Sequence, residues 1–371
     1  LGFDNSVQGS PENGGLVGLL KAIRREYNDA QVQILDTSPS AAPAQVVKSL
    51  LAELDAGSPR LEVGLLRKSK IRLTMAPSRL LPGSRKNEKL PSSWLITGGA
   101  RGVTSAISKR LAKLYSPNLF LLGRHKLPKT EELNRMLKMS ESELLNEKQA
   151  LLQTLKKEDD FQPKHWTYAC ELLDKSVEIG RNIEELETLG CKVHYFSVDV
   201  SDYSALSSVL KSIRKLGGFE GVIHGAGYEL AKPFEKKTKE IIERTLAKAD
   251  GLVNLFNLTK DDSVRYFAAF SSVVGRFGGH GQTDYAVANE VVARFIGTAR
   301  KAHPSTRYTT FSWPAWSEVG MAARSSSKAF LEKTGQSFMS PEEGADHFIR
   351  ELWAGFPEKE VVFCDELPAL D

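Results

Sequence analysis

Four side chains at fixed intervals could do chemistry together. Ser272 closes the run Phe270-Ser271-Ser272, and Tyr285 follows it by 13 residues. Asn289 lies four positions beyond Tyr285, which puts both on one face of a helix. Lys248 stands 24 residues before Ser272, within Lys248-Ala-Asp-Gly251. A phenol, a hydroxyl, an ammonium and a carboxamide can together protonate and steady an oxygen that gains negative charge. A free phenol ionises near about pH 10, and a neighbouring cation brings its proton closer to transfer at neutral pH. Each of these residue types, taken singly, is usually inert on a surface or a helix. The signal is their joint order and spacing.

A second constellation is a glycine-rich turn, Thr97-Gly98-Gly99-Ala100-Arg101-Gly102, running into Val103. It follows the short apolar run Trp94-Leu95-Ile96 and precedes a helical pattern through Ile107, Leu111 and Leu114. Glycines let the backbone approach a pyrophosphate, and the helix start favours its negative charge. Leu119 to Leu122 reads as the next strand and ends at Gly123-Arg124. An acidic residue there favours the free ribose of NAD, whereas Arg124, with Arg101 in the loop, favours a 2′-phosphate. Arg124 also reads as a plain surface arginine. Asp199-Val200 stands where an adenine edge would be held; from chemistry alone Asp199 reads equally as a turn residue before Ser201-Asp202.

Elements must position these groups, and their pattern is alternating. After the glycine turn, Val193–Val198, Gly221–His224 and Arg265–Phe270 read as strands. Helices fit Ser204–Lys215, Lys239–Leu258 and Tyr285–Lys301. Alternation of this kind predicts an α/β fold with a mostly parallel sheet covered on both faces. The crossover from Arg124 to Asp199 spans 75 positions, against the dozen or more that such a connection needs. Residues of about 126–180 read as a helical insertion, with a capping box at Ser140-x-x-Glu143. A further helix carrying Ile179, Ile183 and Leu186 stops at Gly190.

Residues 1–90 read as a smaller α/β unit. Helices are expected over Leu16–Tyr27 and Ala44–Leu54, a strand over Val32–Leu35, and paired strands over Leu61–Leu66 and Ile71–Met75. That unit holds no glycine loop and no cluster of reactive groups, so a structural role is expected of it. Pro77, Pro82, Gly83 and Pro91 mark a linker before residues 91–371.

The interval from Ser272 to Tyr285 resembles the short-chain dehydrogenase/reductase family. Ordinary members carry lysine four residues after the tyrosine and asparagine upstream, whereas here Asn289 and Lys248 are exchanged. That exchange resembles the ketoreductases of polyketide synthases and animal-type fatty acid synthases. Ile223-His-Gly-Ala-Gly227, Phe270-Ser-Ser-Val-Val-Gly275, Gly281-Gln-Thr-Asp-Tyr285 and Trp313-Pro-Ala-Trp316 fall in that family's order. The first 90 residues resemble its structural subdomain, a truncated Rossmann unit without a cofactor loop.

The resemblance implies a Rossmann-like short-chain dehydrogenase fold and NADPH-dependent reduction of a β-ketoacyl thioester carried on an acyl carrier protein, amid neighbouring polyketide synthase domains. It implies Tyr285 as the acid, Ser272 as its partner on the same oxygen, Lys248 tuning the tyrosine and Asn289 holding the lysine. The cofactor wall would include Gly225, Ala226 and Gly227. Phe277, Gln282, Trp313, Pro314, Trp316 and Met321 would face the substrate or lid, with the two tryptophans at a channel entrance. Gly320-Met321 and the stretch to Lys328 read as a lid or as a plain loop. His224 reads as a packing residue. Carrier proteins are acidic, so basic residues beside the cleft are candidate docking contacts.

Three features depart from the family: Thr104 replaces the third loop glycine, Pro314 replaces a glycine, and the helical insertion points to iterative, polyunsaturated-fatty-acid or trans-acyltransferase synthases. Two stereochemical fingerprints are absent, with Tyr228-Glu-Leu-Ala231 in place of Leu-Asp-Asp and Phe277 in place of tryptophan. The lean is to the 3R alcohol, because the tryptophan marker is the firmer. Two rival readings are a silent scaffold and an extended short-chain epimerase or lyase; Asn289 and the short C-terminal part speak against the latter.

Bulk composition narrows the classes. Fifty basic and 46 acidic residues give a net charge of +4, too mild for nucleic acid or membrane-surface binding. Three widely spaced cysteines form neither a disulfide framework nor a zinc site, so a reducing cytoplasm is expected. No apolar run approaches the roughly 20 residues of a membrane span. The chain starts at Leu1 rather than Met, which reads as a piece of something longer.

Overall fold

The computed structural model describes residues 10–38, 40–57, 61–66, 69–71, 89–321 and 338–364. The N-terminal part runs α1 (Asn13–Glu26), β1 (Ile34–Thr37), α2 (Pro43–Asp55), β2 (Glu62–Leu66) and β3 (Ser69–Ile71). β1 pairs parallel with β2, and β2 pairs antiparallel with β3. The strand expected over Val32–Leu35 begins two residues later, and most of Ile71–Met75 lies outside the described residues.

The larger part opens with β4 (Ser93–Thr97), α3 (Gly102–Tyr115) and β5 (Asn118–Gly123). Next come α4 (Thr130–Leu137), α5 (Glu141–Leu155), α6 (Pro163–Thr188) and β6 (Val193–Ser197). The alternation continues through α7 (Tyr203–Lys215), β7 (Gly221–His224), α8 (Lys239–Thr259) and β8 (Tyr266–Ser272). After β8 come α9 (Val273–Phe277), α10 (Thr283–Ala302), β9 (Arg307–Trp313) and β10 (Ala315–Trp316). β11 (Phe338–Met339), α11 (Pro341–Ala354) and β12 (Glu360–Val362) close the described chain.

Seven strands form one sheet in the order β12-β9-β8-β7-β4-β5-β6, every pair parallel. The chain leaves β4 towards β5 and later returns on its other side as β7. That reversal is the topological switch point at which open α/β sheets hold their ligands. Thr97 and His224 face each other across it, at the carboxyl ends of β4 and β7.

Alternate residues of the central strands feed two separate cores. Trp94, Ile96, Leu119 and Leu121 enter one, beneath α3 and α11. Leu95, Phe120 and Leu122 enter the other, beneath α7, α8 and α10. Apolar residues on both faces explain why these strands read as continuous hydrophobic runs.

The crossover between β5 and β6 is filled by α4, α5 and α6. The capping box at Ser140 forms as expected: its hydroxyl accepts from Glu143 N, and Glu143 reaches back to Ser140 N at 2.7 Å. The helix expected to carry Ile179, Ile183 and Leu186 is the second half of α6, which is one uninterrupted helix of 26 residues.

α1 lies against α10, the helix that carries Tyr285 and Asn289. Gly14 and Gly18 allow the approach, since a Cβ at Gly18 would collide with the backbone of Ala286. Gly18→Ala is therefore expected to destabilise the protein by about 1–3 kcal/mol, read from urea unfolding, through overpacking of this seam. An unchanged midpoint would mean that the two helices separate freely.

Candidate active site

β8 delivers Ser272 at its last residue, where the serine also caps α9 and accepts from Val274 N at 3.2 Å. α10 places Tyr285 in its first turn and Asn289 one turn later, and α8 supplies Lys248 from the neighbouring helix. Lys248 Nζ donates to Asn289 Oδ1 at 2.7 Å, and Asn289 Nδ2 donates to the Tyr285 carbonyl at 2.8 Å. The ammonium nitrogen lies 5.7 Å from the centroid of the Tyr285 ring. The four residues singled out by spacing are thus brought together.

Burial, and after it the nearby Glu229 carboxylate, push the Tyr285 phenol up to about 12, against the pull of hydrogen bonds with Asn289 and Ser272. The expected lowering by Lys248 is therefore not what the protein alone imposes. Desolvation of the phenol and the Glu229 carboxylate outweigh it, and burial pushes Lys248 itself down to about 7. A phenol held this high keeps its proton at neutral pH, as a proton donor requires.

His224 joins the catalytic and glycine-loop halves. Its Nε2 lies 3.0 Å from the Lys248 carbonyl, which can only accept, so this nitrogen carries the proton. Nδ1 then accepts from Thr97 Oγ1 at 2.9 Å, and that oxygen accepts from Gly225 N and Ala226 N, each at 3.2 Å. Burial and the charge of Lys248 push His224 down to about 3, so it stays neutral. Its role is packing and connection, in line with the reading of the sequence.

The glycine loop fits a pyrophosphate. Gly98 has φ +72°, and a Cβ there would come within 3.2 Å of Ala226 N. No side chain caps the start of α3 at Arg101, which leaves its first-turn amides without a side-chain cap. Thr104 does not disturb the loop: its hydroxyl bonds the carbonyls of Gly98 and Arg101, and its methyl fills the space left by the missing Cβ of Gly225. Ala100 and Val200 are buried, while Arg101 and Arg124 are exposed at the rim. Arg124 Nη1 lies 3.7 Å from Asp199, whose other oxygen accepts from Ser201 N at 2.9 Å and Ser201 Oγ at 2.7 Å. Asp199 thus forms its turn and also stands at the rim beside Arg124.

Trp313 and Trp316 are not at an entrance. They are 4% and 2% exposed, inside the core under α11. Trp313 stacks on Phe363 at 4.4 Å, and Trp316 packs edge-on against Trp313. Pro314 is half-buried between β9 and β10. Gly320 sits beside the glycine loop, since a Cβ at Gly102 would come within 3.2 Å of Gly320 Cα, and Met321, next in the chain, is half-buried. The lid residues expected from 322 to Lys328 lie outside the described residues.

Residues without a sequence signal complete the site. Glu229, 8% exposed, accepts from Gln282 Nε2 at 3.3 Å and adds negative charge beside Tyr285. In the sequence its position shows only as a missing fingerprint. Asp284 accepts from Tyr285 N at 2.9 Å and Thr245 Oγ1 at 2.9 Å, and pairs with buried Lys237 at 2.6 Å. From the N-terminal part, Glu26 accepts from Gly281 N at 3.1 Å and from Phe234 N. Arg25 donates to the carbonyl of Phe277 at 3.1 Å. α1 therefore braces the loop that leads into the catalytic helix.

A wholly parallel sheet with a glycine loop at its switch point, and a Ser–Tyr–Lys–Asn cluster on its carboxyl side, define a Rossmann-type short-chain dehydrogenase/reductase architecture. The family model described as "KR domain" matches residues 92–318, and the chain belongs to that family, as a ketoreductase domain of the polyketide synthase type. It is 28% identical to the polyketide synthase PksL of Bacillus subtilis over 88% of this chain and 6% of that protein. With a polyunsaturated fatty acid synthase chain of a Thraustochytrium species it shares 27% identity over 95% of this chain and 13% of that protein. The chain thus spans only a small part of either relative's length.

Among solved structures, an A-type ketoreductase from a modular polyketide synthase superposes with a TM-score of 0.75 at 22% identity, over 97% of this chain and 66% of that one. A ketoreductase domain from the bacillaene assembly line gives 0.69 at 22% identity, over 96% and 75%. At such identities these structures speak to the fold alone. Among the described residues no helix is long and apolar enough to cross a membrane, and no cluster of His, Cys, Asp or Glu could hold a metal ion.

Proposed function

We propose that the domain reduces a β-ketoacyl thioester, carried on the arm of an acyl carrier protein, to the β-hydroxyacyl form with NADPH. The observation that carries this reading is the linkage of Lys248 through Asn289 to the Tyr285 backbone carbonyl, with Ser272 hydrogen-bonded to the Tyr285 phenol. Residues 1–90 serve as its structural subdomain and 91–371 as the catalytic one. Bound NADPH supplies the hydride. The glycine loop and the uncapped start of α3 would hold its pyrophosphate, and Arg101 and Arg124 its 2′-phosphate.

Tyr285 and Ser272 grip the ketone oxygen, and Tyr285 gives it a proton as the carbon is reduced. Ser272 donates a hydrogen bond to the growing negative charge. Lys248, steadied by Asn289, places positive charge beside the phenol and helps it release the proton. Glu229, bonded by Gln282, adds negative charge beside the phenol.

The test is loss of NADPH absorbance with a β-ketoacyl N-acetylcysteamine thioester, with NADH in a parallel assay. Turnover with preference for NADPH supports the reading. Binding of NADPH without turnover, even when the substrate is loaded on a carrier protein, would leave a silent scaffold.

The pH profile offers a separate check. Burial pushes Lys248 down to about 7, so kcat/KM is expected to fall about tenfold per unit above that point. Lys248→Arg keeps its charge throughout this range, and its profile is expected to be flat up to about pH 9. A wild-type profile without a break between about pH 6 and 9 would remove Lys248 from the proton-transfer step.

A further inference from the structure

The insertion between β5 and β6 touches the glycine loop directly. α6 runs past the loop with one polar residue per turn aimed at it. Glu178 Oε2 accepts from Arg101 Nε at 2.6 Å, and Asn182 Nδ2 donates to the Ala100 carbonyl at 2.9 Å. Farther along, Lys109 of α3 pairs with Glu185 at 2.5 Å. At the other end Ser176 Oγ lies 2.7 Å from His125 Nε2, just past the end of β5. The spacing of 178, 182 and 185 is that of one helix face. α4 rests on α6 through Gly180, where a Cβ would meet Leu137.

Arg101 is thus already engaged by a carboxylate. Its side chain is 43% exposed and that of Glu178 41% exposed, so the pair is reachable by water and by a ligand. A phosphate dianion arriving at Arg101 would meet Glu178 as a like charge and as a rival for the same guanidinium. Glu178 is not needed to bury or cap α6, because it sits mid-helix and partly solvated.

We infer that Glu178 of the insertion is a specificity-determining residue that competes with the cofactor's 2′-phosphate for Arg101, so that the insertion sets how tightly and how selectively the phosphorylated dinucleotide is held. The inference rests on the reading of NADPH as the cofactor. Its geometric basis is the Arg101–Glu178 pair and the Asn182 bond that fixes α6 to the loop. Solvent exposure of both partners keeps the expected effect moderate.

The experiment is calorimetric titration of the whole chain with 2′,5′-ADP and with 5′-AMP, which differ by the phosphate in question. Glu178→Gln removes the rival charge and is expected to tighten 2′,5′-ADP about three- to tenfold while leaving 5′-AMP unchanged. Glu178→Asp retains the charge and is expected to stay near wild type. The gain in Glu178→Gln is expected to shrink as salt rises, since it is electrostatic.

Weaker binding of 2′,5′-ADP in Glu178→Gln would mean that Glu178 orients Arg101 rather than competing for it, and would overturn the inference. Equal shifts for both probes, or none, would overturn it as well, with the cofactor reading intact as long as the wild type prefers 2′,5′-ADP. A wild type without that preference would overturn the cofactor reading itself.

Discussion

Tyr285→Phe is expected to lower kcat by about 10²–10⁴-fold while NADPH affinity stays at the wild-type level. The ring of phenylalanine fills the same volume, so α10 and the Asn289 bond to the residue 285 carbonyl should persist, and only the proton is lost. Burial and Glu229 push the Tyr285 phenol up to about 12, which in the proposed reaction would make it a reservoir that keeps its proton until charge develops on the ketone oxygen. Ser272 can still donate a hydrogen bond to that oxygen, but a serine hydroxyl is a poorer acid than a phenol. Some residual rate should therefore survive in Tyr285→Phe and fall further in the double variant with Ser272→Ala. The measurement is steady-state NADPH oxidation alongside fluorescence titration of NADPH. A kcat within a factor of about three of wild type would place the proton donor elsewhere.

Of the four candidate residues, Ser272, Tyr285 and Asn289 were legible from chain-local geometry: a strand end, a helix turn and an interval that a short α9 can span. Lys248, on a separate helix and 41 positions from its Asn289 partner, stood out only through the family resemblance. The glycine loop was legible from chain-local geometry too, and the departure at Thr104 was harmless because Gly225, on a different strand, leaves room for its methyl. What the sequence hid depends on partners far along the chain. Trp313 and Trp316 look like lid aromatics until Phe363 and α11 are packed over them. Glu229 looks like a missing fingerprint until Gln282, 53 positions later, turns towards it. Glu26 has no visible role until Gly281, 255 positions away, donates to it. The continuity of α6 was hidden because apolar spacing marked only its second half, where it packs on the main core.

The seam between α1 and α10 carries the other large expected effect. Glu290 follows Asn289 in α10 and is fully buried. It meets Arg276 Nη1 at 3.2 Å, Arg294 Nε at 2.8 Å and Lys21 Nζ at 3.4 Å. Glu62 binds Lys21 and Arg294 from the N-terminal part, and Glu360 binds Arg276 from the far edge of the sheet, at 2.9 Å to its Nε. Replacing Glu290 with alanine leaves three largely buried cations short of a carboxylate, and such one-sided loss costs about 3–5 kcal/mol.

Those three cations also hold the Glu290 carboxyl well below the usual carboxylate range, despite its burial. A depressed pKa in the folded state contributes stability that is present above the ordinary value of 4.5 and lost as pH falls towards the folded value. The gap in urea stability between wild type and Glu290→Ala is therefore expected to be widest near about pH 7 and to narrow below the ordinary value of 4.5. Activity should fall with folding rather than ahead of it, because Glu290 reaches Tyr285 only through the backbone of α10. A gap under about 1 kcal/mol that does not change with pH would mean that the charges at this seam are held by solvent instead of by one another.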